Sequence, residues 1–285
     1  MLSAAKSNEN SSLNCNGLPL CLKEPKIMGV LNLTPDSFYK VSRVSNNNEL
    51  LDKVSKMVND GMDILDLGAV SSRPGATPVT QEEEINRLIS PLKDIRKEFP
   101  NLIISIDTFR PEVLKRALDS QINILNDISG LKEEDLLNIV TKNNLPYILM
   151  HMQGSPETMQ DSPDYENVIL ELLSFFKNRI HKLKKAGVRD VLIDPGFGFG
   201  KTQEHNFEIL RKLEAFKMLD CPMLVGLSRK SMIHKLLKID PSTALNGTTA
   251  LHMVALLNGA KILRVHDVLE AKQCLQLYKV LNGKW

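Results

Sequence analysis

Short apolar runs alternate along most of the chain with longer stretches in which apolar residues recur at helical spacing. The apolar runs lie at residues 27–31, 64–67, 102–106, 122–125, 147–150, 191–193, 223–225 and 262–265. The amphipathic stretches lie near residues 49–60, 81–98, 111–119, 133–143, 165–186, 205–218, 229–237 with 242–258, and 267–281. A short continuous apolar run is typical of a strand buried on both faces, and the 3.6-residue period is typical of a helix. The pattern therefore predicts one strand–helix unit repeated eight times.

The number of repeated units decides between fold classes. Eight strand–helix units within about 260 residues match a (β/α)8 TIM barrel, so we predict an α/β barrel fold. A doubly wound open sheet has the same alternation and stays the alternative, because periodicity alone does not separate the two. Ahead of the first unit, Asn16-Gly17 stands between two short apolar segments and predicts a short N-terminal β-hairpin over residues 13–22.

Composition restricts the domain organisation and the partners. No linker or charge block divides the chain, so we expect a single domain over residues 13–285 after a disordered tail of residues 1–12. The formal net charge of +2, without a basic stripe, argues against nucleic acid or an anionic membrane as a partner. No apolar stretch approaches the ~18–20 residues of a membrane span, and the polar N-terminus lacks a signal-peptide core. With four scattered cysteines, typical of reduced thiols, we expect a cytoplasmic protein.

The segment DPGFGFGKT, residues 194–202, ends like a phosphate-binding loop. Such a loop needs a glycine five residues before the glycine of Gly-Lys-Thr, and Pro195 stands at that position. The glycine spacing G-x-G-x-G also differs from the G-x-G-x-x-G of dinucleotide-binding turns. The segment is therefore a strand that delivers a carboxylate, Asp194, into a glycine-rich turn.

Polar and charged residues follow the apolar runs, at the strand ends where barrels of this class build their active sites. These residues are Asn32, Asp66, Asp107, Asn126-Asp127, Met150-His151, Asp194, Ser228-Arg229-Lys230 and Arg264-Val265-His266-Asp267. Helix capping explains any one Asp or Asn at such a position. It does not explain the set, because caps need no lysine or arginine partners. Acidic and basic side chains arranged around one end of the predicted barrel would suit a polar, anionic, planar substrate.

Seven segments, in order, resemble motifs of the dihydropteroate synthase family. They are MGVLNLTPDSF (28–38), SSRPGA (71–76), SIDTFR (105–110), ILNDISG (124–130), DPGFGFGK (194–201), GLSRKSM (226–232) and RVHDV (264–268). The resemblance extends from about Cys15 to Val280. It implies a TIM barrel in a homodimer that condenses 6-hydroxymethyl-7,8-dihydropterin pyrophosphate with p-aminobenzoate, assisted by Mg²⁺. The products are 7,8-dihydropteroate and pyrophosphate.

One group of residues is predicted to contact the pterin ring; the matching family motifs give Asp107, Asn126 and Asp194, and side-chain chemistry adds the others. These residues are Asp107, Asn126, Met150, Asp194, Phe199, Lys230 and Arg264. A carboxylate such as Asp194 can accept the adjacent NH₂ and N–H groups of the pterin edge in parallel. Asp107 and Asn126 would serve the other edge nitrogens, and Lys230 would donate to the pterin carbonyl oxygen. Met150 and Phe199 would form apolar walls, and the planar guanidinium of Arg264 would stack on the ring.

The remaining assignments concern the pyrophosphate, the metal, the acceptor amine and catalysis. The pyrophosphate would contact Asn32, Arg73, Arg264 and His266. Asn32 would be the single protein ligand to Mg²⁺, which keeps most of its waters. The p-aminobenzoate would contact Phe38, Ser72, Arg73, Pro74, Gly198, Lys230 and Ser231. An aryl amine that attacks a pterin-stabilised cation needs little deprotonation, so no nucleophile–base dyad is required, and none is found. Asp36, Asp107, Lys230 and Arg264 are the predicted catalytic residues, acting by positioning and electrostatics.

Two loops depart from the family pattern. The first reads TPDSFYKVS at residues 34–42, where the family has TPDSFSDGG, and so places Lys40 where a carboxylate is usual. The second reads GAVSS at residues 68–72, where the family favours GGEST. Both lie on the aminobenzoate side, so we expect an active synthase with an altered rate or acceptor choice.

Two other functions stay open on the sequence. A pterin-binding methyltransferase module shares the barrel and the Asp/Asn pattern but acts on methyltetrahydrofolate with a cobalamin partner. Such a module has no use for the Ser-Arg-Pro-Gly segment at 72–75 or for the Arg-x-His of Arg264 and His266. A non-catalytic pterin-binding paralogue is the second alternative, because of the altered first loop.

Overall fold

A computed structural model of the 285-residue chain describes residues 12–33, 43–70, 79–155, 158–159 and 163–283. The predicted disordered tail lies outside these ranges except for Ser12, which begins the first strand. Within them, two antiparallel strands precede a parallel sheet of eight strands. No helix of the described ranges combines the length and the apolar character that crossing a membrane requires.

The strands and helices alternate as the hydrophobic pattern predicts. The strands are β1 (Ser12–Cys15), β2 (Leu18–Cys21), β3 (Lys26–Asn32), β4 (Ile64–Gly68), β5 (Ile103–Asp107), β6 (Ile124–Asp127), β7 (Tyr147–Met150), β8 (Val191–Asp194), β9 (Leu224–Val225) and β10 (Ile262–Val265). The helices are α1 (Arg43–Asn59), α2 (Gln81–Glu98), α3 (Pro111–Leu118), α4 (Glu134–Asn143), α5 (Val168–Lys185), α6 (Gln203–Arg211), α7 (Ser231–Leu237), α8 (Leu245–Leu257) and α9 (Val268–Leu281). One stretch differs, because the predicted helix over 205–218 continues after Lys212 as a tighter 3₁₀ helix, Leu213–Leu219.

The parallel sheet closes on itself. Its strand order is β8-β7-β6-β5-β4-β3-β10-β9. The two end strands meet through a parallel bridge between Ile193 and Met223, and the Ile193 N–H donates to the Pro222 carbonyl oxygen at 3.0 Å. An open doubly wound sheet would leave its end strands apart, so the closure confirms the predicted barrel and removes the alternative.

The barrel interior changes from apolar to polar along the strands. Side chains two residues apart on a strand lie on the same face. The first inward layer is one apolar cluster that includes Met28, Ile64, Ile103, Ile124, Ile148, Leu192, Leu224 and Ile262. Two residues further along the same strands stand Asp66, Ser105, Asn126, Met150, Asp194 and Arg264. The strand period therefore places the acids and bases together above an apolar floor, at the carboxyl ends.

The predicted hairpin is present and covers the opposite end of the barrel. Its turn residues Asn16 and Gly17 have φ angles of 53° and 87°, as a two-residue turn with positive φ at both positions requires. Leu13 and Leu20 join the apolar floor cluster. The Asn123 side chain donates from Nδ2 to the Cys15 carbonyl oxygen at 2.9 Å and ties the hairpin to the barrel.

Candidate active site

One guanidinium joins two carboxylates at the mouth of the barrel. Arg264 projects from β10, and its Nε donates to Oδ2 of Asp66 at 2.7 Å. Its Nη2 donates to Oδ2 of Asp107 at 2.7 Å. Asp66 is fully buried on β4, whereas Asp107 ends β5 and keeps 17% of its side chain exposed. A planar guanidinium bonded at two nitrogens has a fixed orientation, so Asp66 and Asp107 together orient the Arg264 side chain.

The charges of this group shift one another's proton affinity. Burial raises the pKa of Asp107 to about 7, the Arg264 charge opposes this rise, and the Asp66 carboxylate adds to it. Burial alone would lower the pKa of Arg264, but the carboxylates of Asp66 and Asp107 raise it above its ordinary value. The arginine therefore stays charged, while Asp107 holds its proton to a higher pH than an exposed aspartate does.

Three buried polar atoms beside this group have no hydrogen-bond partner within the described part of the chain. They are Oδ1 of Asp66, Oγ of Ser105 and Oδ1 of Asn126. Asn126 donates from Nδ2 to Oδ2 of Asp66 at 3.2 Å, so its Oδ1 stays available as an acceptor. An unpaired buried polar atom costs roughly 1–3 kcal/mol, and a ligand N–H that bonds to Asn126 would remove this cost.

Asp194 ends β8 and begins the glycine-rich turn. Its side chain is buried, and its Oδ1 accepts the Gly196 N–H at 2.8 Å. Burial raises the pKa of this carboxyl, whereas Lys230, the Gly196 N–H, Arg264 and Lys201 lower it. Asp194 is thus a carboxylate with little water around it and cations nearby, which suits the recognition of neutral N–H donors.

Lys230 stands over the glycine-rich turn at the start of α7. Its Nζ donates to the Phe197 carbonyl oxygen and lies 4.4 Å from the centre of the Phe199 ring. Gly198 has a φ of +79°, and a Cβ there would lie 3.3 Å from Cδ of the Lys230 side chain, so the glycine makes room for the lysine. Burial lowers the pKa of Lys230 to about 8, and the Asp194 carboxylate opposes this shift.

Two N–H groups of the glycine-rich turn donate to acceptors within the protein. The Gly198 N–H donates to Oδ1 of Asn206 at 2.7 Å, and the Phe199 N–H donates to the Gly196 carbonyl oxygen at 3.0 Å. Lys201 is buried and donates inward to the carbonyl oxygens of Gly196 and Phe199. The sequence gives no role to Lys201.

Asn32 and His266 lie at the same end of the barrel. Asn32 ends β3, and its Oδ1 lies 3.6 Å from the position that a Cβ on Gly68 would occupy. The Cβ of Asp107 lies 3.4 Å from the same position, so the Asn32 amide and the Asp107 side chain flank Gly68. His266 follows β10, is exposed, and has its Nδ1 2.9 Å from Oγ of Ser228.

Two further predicted site residues, Met150 and Ser231, lie at the ends of a strand and a helix at the barrel mouth. Met150 is buried at the end of β7, with Cγ 3.3 Å from the position of a Cβ on Gly196, so it packs under the turn that carries Asp194. Ser231 is exposed at the first position of α7, directly after Lys230. Both lie on the same side of the barrel mouth as the glycine-rich turn.

Five predicted site residues lie outside the described residues. They are Asp36, Phe38, Ser72, Arg73 and Pro74, and the unusual segment 39–42 lies outside them as well. Their roles stay predictions.

Two charged strand-end residues have structural partners instead. Arg229 donates from Nε and Nη2 to the two carboxylate oxygens of Asp267, both at 2.8 Å. Asp127 accepts the N–H groups of Ser129 and Leu131 at 2.7 and 2.9 Å, which is the turn-capping role that its position also allows. Neither residue is part of the group around Arg264.

Comparison with known proteins gives the class of this fold and site. The sequence profile of the family described as Pterin binding enzyme matches residues 28–266. The chain is 42% identical over 270 residues to the dihydropteroate synthase of Escherichia coli strain K12, covering 93% of this chain and 94% of the relative. It is 38% identical over 269 residues to that of Haemophilus influenzae, covering 94% and 98%. The barrel with its ring of acids and bases is thus that of a pterin-binding enzyme.

Solved structures agree with this class. The Yersinia pestis dihydropteroate synthase in complex with a sulfonamide drug matches with a TM-score of 0.89 and 36% identity, covering 95% of this chain and 99% of that one. The Xanthomonas albilineans enzyme in complex with 7,8-dihydropteroate matches with a TM-score of 0.86 and 33% identity, covering 95% and 99%. The chain belongs to the dihydropteroate synthase family, whose members are transferases.

Proposed function

We propose that this protein joins 6-hydroxymethyl-7,8-dihydropterin pyrophosphate to p-aminobenzoate in folate biosynthesis. The amine nitrogen forms a bond to the pterin methylene carbon, the carbon–oxygen bond to pyrophosphate breaks, and the amine loses one proton. The observation that supports this most is the group formed by Arg264, Asp107, Asp194 and Lys230. These four charged side chains lie close enough to shift one another's pKa, at the end of the barrel where such enzymes bind substrates.

The pterin half of the substrate would be bound between β5 and the glycine-rich turn. Asp194 would accept the exocyclic NH₂ and the ring N–H in parallel, because a buried carboxylate offers two acceptors side by side. The free Oδ1 of Asn126 and the carboxylate of Asp107 would accept the remaining N–H groups. Lys230 would donate to the pterin carbonyl oxygen, and Met150 and Phe199 would contact the ring faces.

The pyrophosphate would leave toward the end of β10. Arg264 would donate to its oxygens with the guanidinium edge that Asp66 and Asp107 do not use. The exposed His266 lies two residues further along the chain, and the sequence predicts that Arg73 contacts the same pyrophosphate. Binding of the leaving group by cations stabilises the charge that develops as the carbon–oxygen bond breaks.

The residues at this mouth fit a magnesium ion that keeps most of its waters. The amide oxygen of Asn32, at the end of β3, and the Asp107 side chain both approach Gly68. An amide oxygen is a hard ligand of the kind Mg²⁺ prefers. Within the described ranges, no group of three or more His, Cys, Asp or Glu side chains gathers to hold a metal ion. Asn32 would therefore hold the ion together with pyrophosphate oxygens, and the ion would neutralise their charge.

The acceptor would enter beside the glycine-rich turn. Gly198, Lys230 and Ser231 line one side, and the predicted contacts at Phe38, Ser72, Arg73 and Pro74 would complete the slot. The N–H groups at the start of α7 and the Lys230 ammonium suit the p-aminobenzoate carboxylate. The bound 7,8-dihydropteroate of the Xanthomonas albilineans enzyme contains both substrate halves, which supports adjacent pterin and aminobenzoate sites here.

We further propose a homodimer in the cytoplasm. The last three helices carry large apolar side chains that are exposed in the single chain, among them Leu237, Leu257, Leu269, Leu277 and Leu281. Large exposed apolar side chains of this kind are common at interfaces, and a second copy of the chain is the partner that the family resemblance implies. Sedimentation velocity would give the mass of two chains, and Leu277→Glu would shift it toward one.

A methyltransferase module has less support. It would have no pyrophosphate to bind, whereas Arg264 on β10 and His266 directly after this strand are a pair suited to phosphate oxygens. The relatives at 38–42% identity are synthases.

Release of pyrophosphate tests the proposed function. The protein is incubated with the pterin pyrophosphate and Mg²⁺, with and without p-aminobenzoate, and pyrophosphate is measured by a coupled assay. We expect release that depends on the amine. Asp194→Asn should abolish most of this release, and release that is independent of the amine would contradict the proposal.

A further inference from the structure

Lys201 is a buried lysine whose acceptors are all supplied by the protein. Its Nζ donates to the carbonyl oxygens of Phe199 at 2.9 Å, Gly196 at 3.0 Å and His151 at 3.3 Å, and lies 3.1 Å from Nδ1 of His151. The residue is only 3% exposed. Burial lowers the pKa of His151 to about 2, so this imidazole is neutral and its Nδ1 can accept. A lysine with these acceptors is not available to bind a substrate.

The ammonium of Lys201 joins two backbone segments that lie in direct contact. Gly196 and Gly200 leave no room for a Cβ, because such an atom would overlap the carbonyl oxygens of His151 and Gln153. The glycine-rich turn therefore packs backbone to backbone on the segment that follows β7. Carbonyl oxygens gathered this closely repel one another unless a donor lies among them, and Lys201 is that donor.

The same turn determines the geometry of two residues of the site. The Gly196 N–H holds Oδ1 of Asp194 at 2.8 Å. The Phe197 carbonyl oxygen accepts from Lys230, and the Phe199 ring lies under the Lys230 ammonium. Any rearrangement of the turn would thus move Asp194 and Lys230 together.

We infer that Lys201 is a positioning residue for the synthase reaction, holding the turn of residues 194–200 in the shape that presents Asp194 and Lys230 to the pterin ring. The inference rests on the pterin-binding roles proposed above for those two residues. Lys201 itself touches no substrate. Gly200-Lys201, which resembles part of a phosphate-binding loop in sequence, thus acts through hydrogen bonds to the backbone and not through contact with a ligand.

The charge of Lys201 also acts on Asp194. Burial raises the pKa of Asp194. Lys230, the Gly196 N–H, Arg264 and Lys201 lower this pKa, because they favour the ionised carboxylate. Burial in turn lowers the pKa of Lys201 to about 7, opposed by Asp194. Replacing Lys201 by a neutral side chain therefore raises the pKa of Asp194. As the pH is lowered, pterin binding should then begin to weaken at a higher pH than in the unchanged protein.

The test compares Lys201→Met and Lys201→Gln with Lys212→Met, an exposed lysine of the same region whose removal should change nothing. Affinities for 6-hydroxymethylpterin and for inorganic pyrophosphate with Mg²⁺ are measured by calorimetry across a pH series. We expect both Lys201 variants to bind the pterin at least tenfold more weakly near neutral pH. Pyrophosphate affinity, which depends on Arg264, should change less than twofold.

The acid limb of the pH series distinguishes a positioning role of Lys201 from a general effect of the substitutions on folding. Lys201→Gln keeps N–H donors in the cavity, so it serves as the second variant if Lys201→Met does not fold. In Lys201→Gln the acid limb should move to higher pH. Unchanged pterin affinity with an unmoved acid limb in Lys201→Gln would overturn the inference. Equal losses of pterin and pyrophosphate affinity would also overturn it, because they would indicate general unfolding. Failure of the unchanged protein to bind the pterin would instead contradict the proposed function.

Discussion

Asp66 fixes the direction of Arg264 from inside the barrel, through a contact of 2.7 Å between Oδ2 and Nε. The carboxylate is fully buried two residues above the apolar floor, and it reaches the arginine past β3, the one strand between β4 and β10. With Nε held by Asp66 and Nη2 held by Asp107, the guanidinium has one orientation before any ligand arrives. This preorganisation is what the proposed pyrophosphate site depends on.

Replacing Asp66 tests this relationship. Asp66→Asn removes the charged acceptor at Nε, so Arg264 should lose its fixed orientation and kcat/KM should fall roughly a hundredfold, equivalent to about 2.7 kcal/mol. Arg264 keeps its bond from Nη2 to Asp107, while the like charge of Asp66 is removed. The pKa of Asp107 should therefore fall, and the acid limb of kcat/KM should move to lower pH. A limb that stays in place would contradict the assigned coupling. Glu134→Gln, at an exposed ion pair with Lys182, is the control and should leave the pH profile unchanged.

Lysine should not replace Arg264. A single ammonium cannot bond Asp66 and Asp107 on two edges and still offer a planar face to the pterin. We expect Arg264→Lys to lose roughly 100-fold or more in kcat/KM, with most of the loss in the binding of the pterin pyrophosphate. Steady-state kinetics at saturating Mg²⁺ measure this. A lysine variant that turns over normally would refute the argument from planarity.

Asp194 and Asp127 form a matched pair of buried strand-end aspartates with different roles. Asp194→Asn replaces an acceptor by a donor facing the pterin N–H, which costs roughly 1–3 kcal/mol, so pterin affinity should fall about tenfold or more. Asp127→Asn weakens the cap on Ser129 and Leu131 and the hydrogen bond from Tyr147, so it should lower the melting temperature and spare affinity. Calorimetry and thermal unfolding on both variants separate the two roles. The assignment fails if Asp127→Asn loses pterin affinity and Asp194→Asn does not.

The hairpin that covers the floor of the barrel predicts a difference in thiol reactivity. Cys21 is exposed, whereas burial and the Asp190 charge raise the pKa of Cys15 to about 12. Iodoacetamide near pH 8 should therefore modify Cys21 in the native protein and reach Cys15 only after unfolding. Mass spectrometry of the digested protein measures both sites, and Cys21→Ser is the control. Early labelling of Cys15 would show that the hairpin does not cover the floor.

The fold could be predicted from the sequence because its information is local. Each strand is a short apolar run, each helix has its own period, and Asn16-Gly17 specifies the hairpin turn without distant contacts. The closure of the barrel depends on β8 meeting β9, which no local pattern contains. Only the count of eight units predicted it.

The candidate site could be predicted in part. Asp107, Asn126, Asp194, Lys230 and Arg264 follow strand ends, so counting strands brings them to one mouth. The roles of Asp66 and Lys201 were missed, because both depend on partners far away in the sequence. Asp66 meets an arginine 198 residues later, and Lys201 meets His151 50 residues earlier. The alternation of strand side chains was the available signal for Asp66, since Ile64 and Asp66 share one face.

Formation of the product itself tests the central claim most directly. The purified protein is supplied with the pterin pyrophosphate, Mg²⁺ and ring-labelled p-aminobenzoate, and the labelled species are separated by chromatography. The proposed function predicts that label appears in 7,8-dihydropteroate, mole for mole with released pyrophosphate, and that Arg264→Lys loses most of this product. Tight binding of the pterin pyrophosphate with no labelled dihydropteroate at any concentration of amine would contradict it, and would make the protein a pterin-binding paralogue without synthase activity.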